Sequence, residues 1–308
     1  MRLRPRVMAA LAALALPLTA CGSSDGATDS ATEGEVTVIG YAAIFQDKYQ
    51  KAVIEPFQEK YPNIKVTFRP AQSSAEMLAT LRSEKSSPTN DVAIMDTSVA
   101  ATGNSEGVFE KLDPKAVPNM KDVTAQGRTP GNFGPAVTYD NLVLLYDTKK
   151  VKKAPTSWEA LWDPAYKGKI AIPAAPDIQG HALAMITCKM EGADYRKSID
   201  PAVKRLSDLS GSVQTWEPQP DSYSLITQGS ATMAIGWNAR GQVYQDTSKG
   251  KLGVAIPDEG SVFQVNTINL TKNSEHPKAA QTFMNYALGK EAQKSFSETM
   301  FYAPTNGK

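Results

Sequence analysis

The alternation of short apolar strands with amphipathic helical stretches over residues 35–98 is the feature that most limits what this chain can fold into. Glu35-Val36-Thr37-Val38-Ile39 reads as a first strand. Asp47 to Lys60 follows as a helix with Tyr49, Val53 and Phe57 on one face, and Pro56 is expected to kink it or end it early. Ile64-Lys65-Val66-Thr67-Phe68 alternates as a second strand, and Met77, Leu78 and Leu81 give a second helix its stripe. Asp91-Val92-Ala93-Ile94-Met95 is a short buried strand that ends at Asp96-Thr97-Ser98. Strands separated by helices need crossover connections, so this order implies a parallel sheet covered by helices.

The pattern then changes. Ala136 to Asp140 and Leu142 to Tyr146 are two extended stretches with no helix beside them, and Thr156 or Ser157 caps a short helix through Trp162. A second alternating set follows. It has a strand at Lys169–Ile172, helices around Gly180–Met190 and Pro201–Ser210, a strand at Ala231–Ile235 and a helix after Trp237. A last strand, Ser261 to Leu270, leads into a helix whose first turn holds Pro277 and whose stripe is Ala280, Phe283, Met284, Ala287 and Leu288. The expectation is an α/β fold of two lobes, each a mostly parallel sheet flanked by helices. Residues 35–135 with 262–308 form lobe 1, and residues 145–258 form lobe 2. The chain crosses between them at 136–144 and again at 259–268.

The amino terminus concerns destination. Arg2, Arg4 and Arg6 precede an apolar run from Val7 to Leu16, and Leu18-Thr19-Ala20-Cys21 has the form of a bacterial lipobox. About ten apolar residues span only ~15 Å of helix, half of a hydrocarbon core, so residues 1–20 read as an export signal. Cys21 is the expected lipidation site, palmitate included, and Gly22 to Gly34 is a small-residue tether with nothing to bury. The product is exported and lipid-anchored to the outer face of the cytoplasmic membrane.

Lysine and arginine total 33 against 32 acids, a formal charge of +1, which gives no footing for nucleic acid. With Cys21 acylated, Cys188 has no partner for a disulfide and reads as a small buried hydrophobe. Gly-x-Ser-x-Gly, the phosphate-binding Gly-rich loop, His-Glu-x-x-His and Cys-x-x-Cys are all absent. The chain therefore reads as a non-enzyme without a cofactor. An exported enzyme that uses no known motif is the remote alternative.

Four segments are similar to type II periplasmic binding proteins: Val53 to Pro62, Pro155 to Ile170, Met233 to Asn238 and Tyr302 to Asn306. The block at 155–170 is the most specific, and the group resembled most is that of the spermidine/putrescine-binding proteins with their iron- and aminoalkylphosphonate-binding relatives. The resemblance implies a monomeric solute-binding lipoprotein of an ABC importer. It would close two lobes on its ligand and deliver it to membrane permease subunits. Family chains usually continue several tens of residues past such a Pro-Thr-Asn, whereas this one stops at Lys308.

Ligands in open α/β sheets sit outside the carboxyl ends of the strands. That rule selects Tyr41, Asp96, Ser98, Tyr139, Asp177, Asp221, Tyr223, Trp237 and Asn266 as cleft candidates. Asp96, Ser98 and Asp221 are also natural helix caps. A polyamine site needs carboxylates for its ammonium groups, and here the resemblance places Asn266 where polyamine binders carry an acid. Asp177 alone stands for an acidic cluster. An amine, a betaine-like cation, an opine or an amino-acid-derived zwitterion fits these residues better than a tetraamine. Ferric iron would ask for adjacent tyrosines, which the chain lacks, and His181 and His276 are far apart in sequence. An aminoalkylphosphonate remains open, since a helix N-terminus at Asp96-Thr97-Ser98 or Gln179-Gly180-His181 suits an anion.

Overall fold

The computed structural model describes residues 29–308. The expected export signal, the expected lipidation site Cys21 and most of the expected tether lie outside the described residues. Lobe 1 begins with β1 (Gly34–Tyr41), whose apolar side chains bury Val36, Val38 and Ile39. A continuous helical rod follows. Its parts are α1 (Ile44–Tyr49), one π-helical stretch (Gln50–Ile54) and α2 (Glu55–Lys60). Pro56 does not end it early. The wide turn lies just before the proline, which occupies the first turn of the resumed α-helix, where its missing N–H is tolerated.

The parallel sheet expected from the sequence is present. β2 (Ile64–Ala71) and β3 (Val92–Asp96) both run parallel to β1, with α3 (Ser74–Ser83) between them and α4 (Thr97–Ser105) after β3. A two-residue strand, β4 (Phe109–Glu110), pairs with the last strand of the chain. The two extended stretches after it are one twelve-residue strand, β5 (Ala136–Asp147).

β5 belongs to both lobes. Up to Asn141 it is laddered to β10 (Phe263–Thr271), and from Leu142 onward to β8 (Met233–Trp237) and β9 (Leu252–Ala255). Lobe 2 also holds β6 (Ile170–Ala171) and β7 (Val213–Thr215), parallel to each other and to β8. Its helices are α5 (Ile178–Met190), α6 (Asp200–Ser207), α7 (Ser222–Gln228) and α8 (Asn238–Thr247). The chain closes with α9 (Pro277–Ala287) and α10 (Lys290–Met300), which cover lobe 1. The path β2-β1-β3-β10-β5-β8-β6-β7 is thus continuous, with parallel neighbours at its ends and antiparallel ones at the crossing.

Each lobe buries its own core. In lobe 1 Phe45 stacks on Tyr49 at 5.4 Å and meets Phe296 edge-on at 5.4 Å, while Phe57 meets Phe283 at 5.1 Å. In lobe 2 Trp158 is fully buried among Leu142, Leu144, Ile170 and Ile235. Ser157, not Thr156, caps its turn by accepting from Glu159 N, and the Trp158 indole donates to Gly260 O at 2.8 Å. The 155–162 block therefore locks onto the returning crossover. Cys188 is buried in α5 and has no disulfide partner among the described residues. Among the described residues no helix is long and apolar enough to cross a membrane.

Gln293 on α10 ties this frame together. Its amide donates to Val137 O and Ala287 O, both at 2.9 Å, and accepts from Thr305 N at 2.7 Å. Gln293→Ala strands these buried groups, and urea denaturation should show a loss of about 2–3 kcal/mol.

Candidate functional site

The carboxyl ends of β1, β3 and β8 meet the crossing strands at one place. Tyr41 ends β1 with its hydroxyl 2.7 Å from Ser74 Oγ and donating to Asn266 Oδ1 at 2.9 Å. The Asn266 amide donates in turn to Thr138 Oγ1 at 2.9 Å. Asn266 is buried, and its amide oxygen and nitrogen are both engaged by protein. It fixes the tyrosine. In the β5–β10 ladder Asn266 faces Thr138 and Gln264 faces Asp140, so these four side chains share the face toward Tyr41. Tyr139 lies on the other face. Its hydroxyl is 2.6 Å from Thr124 Oγ1 and its ring 4.9 Å from Phe263. Expected at the cleft, it is brought instead to the far side, because consecutive strand residues alternate.

The second wall grows out of β8 and α8. Tyr223 is buried, and its hydroxyl accepts from Trp237 N at 2.6 Å and donates to Trp237 O at 3.1 Å, pinning the strand's exit. Its ring stacks on Tyr244 at 5.2 Å, and Tyr244 donates to Asp221 at 3.3 Å. Over Tyr223 lies the Arg240 guanidinium, 5.8 Å from the ring centroid. Trp237, half-buried, is the N-cap of α8 but gives it no side-chain bond. Asp140 does so from the crossing strand, accepting from Ala239 N at 3.1 Å and from Asn141 N at 2.8 Å. Neither Asp140 nor Arg240 was among the residues that the sequence singles out. Asp140 looks like the polar tail of an apolar stretch, and Arg240 lies one turn beyond the strand exit that marks Trp237.

Of the other candidates, Asp96, Asp177 and Asp221 cap helices, and Ser98 lies in the first turn of α4. Asp96 accepts from Ser98 N at 2.9 Å and Ser98 Oγ at 2.5 Å, Asp177 from Gln179 N at 2.7 Å and Asp221 from Ser224 N at 2.6 Å. Ser98 lines a groove of about 410 Å³ between the lobes, where Arg82 and Leu78 of α3 face Pro176, Ile178 and His181; Asp177, between Pro176 and Ile178 in sequence, is not part of its lining. A larger hollow of about 740 Å³ lies by Phe263, on the face opposite Asp140. Its charges are spent on one another: Arg196 on Asp194, Lys189 on Glu259 O, and the Glu259 carboxylate on Ser157. The polar side chains that meet on the crossing strands lie on the Tyr41–Asp140–Arg240 side. Among the described residues no group of three or more His, Cys, Asp or Glu is placed to hold a metal.

Burial pushes the Tyr41 and Tyr223 phenols well above their ordinary range, so both stay neutral. It also raises Asp140 to about 7, against the opposing pull of the Asn141 and Ala239 N–H groups and of Arg240. An exposed aspartate releases its proton near pH 3.9, so between roughly pH 4 and 7 the folded chain holds a proton that the unfolded chain has lost. Stability should fall as pH rises through this window. Chemical denaturation at stepped pH should show the decline, and Asp140→Asn should flatten it.

The sequence profile of the bacterial extracellular solute-binding proteins matches residues 52–308. The chain is 24% identical to a gamma-aminobutyric acid-binding protein of Pseudomonas aeruginosa, over 94% of this chain and 82% of that one. It is 23% identical to a spermidine/putrescine-binding periplasmic protein of Haemophilus influenzae, over 95% and 82%. Among solved structures, an ABC transporter substrate-binding protein from Bradyrhizobium japonicum superposes with a TM-score of 0.77 at 22% identity, covering 89% of this chain and 84% of that one. An ABC transporter protein from Clostridium perfringens superposes at 0.69 with 26% identity, covering 88% and 85%. With its profile match running from the first helical rod to the last residue, the chain belongs to the bacterial extracellular solute-binding protein family.

Proposed function

We propose that this chain captures a small, amine-bearing polar solute between its lobes and presents it to the permease of an ABC importer. The convergence of polar groups from both lobes on the crossing strands carries this reading: Tyr41 and Asn266 from one side, Tyr223 and Arg240 from the other, with Asp140 between. Solute held there bridges the two walls, and its binding energy draws them together. The relatives named for polyamines and for gamma-aminobutyrate support a nitrogenous solute for this chain.

Thermal melts of the mature chain against polyamines, betaines, amino acids, ω-amino acids, opines, aminophosphonates, sugars and ferric citrate test the proposal. A solute at a hundredfold its Kd adds about 2.7 kcal/mol, a rise of several degrees in Tm. Stabilisation by one nitrogenous class supports capture, and a blank across the panel refutes it.

We extend the proposal to the anchor: Cys21 carries lipid, and the tether holds a monomer at the outer face of the membrane. Cys21→Ala should move the protein from the membrane fraction to the soluble one, as immunoblotting of fractionated cells would show.

A further inference from the structure

The described residues include six arginines, and five have protein partners. Arg69 donates to Thr89, Arg82 pairs with Glu106, Arg128 donates to Val123 O and Lys121 O, Arg196 pairs with Asp194, and Arg205 with Glu159. Arg240 makes neither a hydrogen bond nor an ion pair with any described residue, although it is half-buried and sits over the Tyr223 ring. A guanidinium stays charged throughout the physiological range and offers five N–H donors in a fixed planar fork. Withdrawing it from water without partners is costly, and such a group persists where something outside the chain completes it.

What surrounds Arg240 sets the class of that partner. Tyr41 and Tyr302 reach its field from lobe 1, Asp140 from the crossing strand, and Asp221, Tyr223 and Tyr244 from lobe 2. Neither carboxylate closes to ion-pair distance. Asp140 is turned to the N–H groups of Asn141 and Ala239, and Asp221 to Ser224 N and the Tyr244 hydroxyl. The fork is therefore free for an incoming oxyanion, while the carboxyl oxygens of Asp140 and Asp221 offer acceptors nearby for the N–H groups of a cation. A dication such as a diamine would place one ammonium against Arg240. A molecule with an amine at one end and an oxyanion at the other satisfies both poles.

We infer that Arg240 is the anchor for the anionic end of a zwitterionic solute, a carboxylate gripped by the guanidinium fork. This rests on the capture function proposed above and narrows its solute to amino acids and their analogues. A phosphonate in place of the carboxylate would present the same oxyanion chemistry, and the experiment separates the two.

Isothermal titration calorimetry of the mature chain with γ-aminobutyrate, 3-aminopropylphosphonate and putrescine makes the test. The three have similar spacers and differ at one end, which is carboxylate, phosphonate or ammonium. The wild type should bind γ-aminobutyrate at least tenfold more tightly than putrescine, and preference for the phosphonate over the carboxylate would assign the anchor to that oxyanion. Arg240→Gln should weaken binding of the preferred anionic probe about 10- to 100-fold, and Arg240→Lys, which keeps charge without the fork, should fall between. The ligand-free Tm separates this role from a structural one: Arg240→Gln loses the contact with the Tyr223 ring but no hydrogen bond or ion pair, so its ligand-free Tm should fall by at most about 4 °C. Preference for putrescine, no binding of either anionic probe, or wild-type affinity in Arg240→Gln overturns the assignment. A larger loss of ligand-free stability in Arg240→Gln also overturns it. If a nitrogenous solute without an anion stabilises the chain in the wider panel, capture stands and the anchor alone is lost.

Discussion

The site depends on one strand serving two sheets. β5 changes partner between Asn141, which faces Phe263 of β10, and Leu142, which faces Trp237 of β8. A strand laddered on both sides of that point cannot shift its register in one lobe without breaking pairing in the other. The positions of Thr138, Asp140 and Asn141 relative to Trp237 are therefore set by backbone hydrogen bonds, before any side chain acts. Alternation along the strand divides the labour. Thr138 and Asp140 go to the side of Tyr41 and Arg240, while Tyr139 goes to Thr124 and Phe263.

The same strand supplies the cap that α8 lacks. Trp237 has no side-chain oxygen, so the first N–H groups of α8 would be orphaned at a buried end. Asp140 meets Ala239 N from a hundred residues away in sequence and thereby fixes where α8, and Arg240 on it, begins. α8 is held from both sides. Ala239 and Val243 belong to the buried cluster of lobe 1, with Phe296 and Met300 of α10, while Gly241 lies 3.0 Å from Val254 of β9 when given a Cβ. A side chain at position 241 would crowd the side chains of Val254 and of Leu145 on β5.

Much of this was legible in the sequence because it is periodic. The alternation at 35–39 and 64–68 and the stripe from Ala280 to Leu288 each encode burial locally, and all three became the expected elements. The strand-end rule also singled out Tyr41 and Trp237, and these residues do end β1 and β8. What escaped has no local signature. α10 presents only Ala292, Phe296 and Met300 on an otherwise polar sequence, so it reads as surface until α9 and the aromatic stack are there to cover. Asp140 and Tyr139 are consecutive residues of one strand, and which of them meets the solute side is settled by α8, far along the chain. Asp96, Asp177 and Asp221 show the converse: each stands where the strand-end rule placed it, and each is engaged as a helix cap. A short acid after a strand serves both purposes, and sequence alone does not separate them.

The amide at position 266 has a physical reason once its neighbours are known. Asn266 faces Asp96 across β3 and Thr138 across β5, with Asp140 two residues along from Thr138 on the same face. A carboxylate at 266 would put a third acid within this small buried region, with Arg240 its single cationic side chain among those named. Like charges so placed raise one another's pKa and are neutralised by protons unless a cation is supplied. A polycationic solute would supply it; a zwitterion would not. The neutral amide keeps the hydrogen bonds to Tyr41 and Thr138 without adding charge, and the free guanidinium one helix turn beyond Trp237 supplies the opposite pole. Amide and guanidinium thus both fit the inference drawn above, a solute whose own charges cancel.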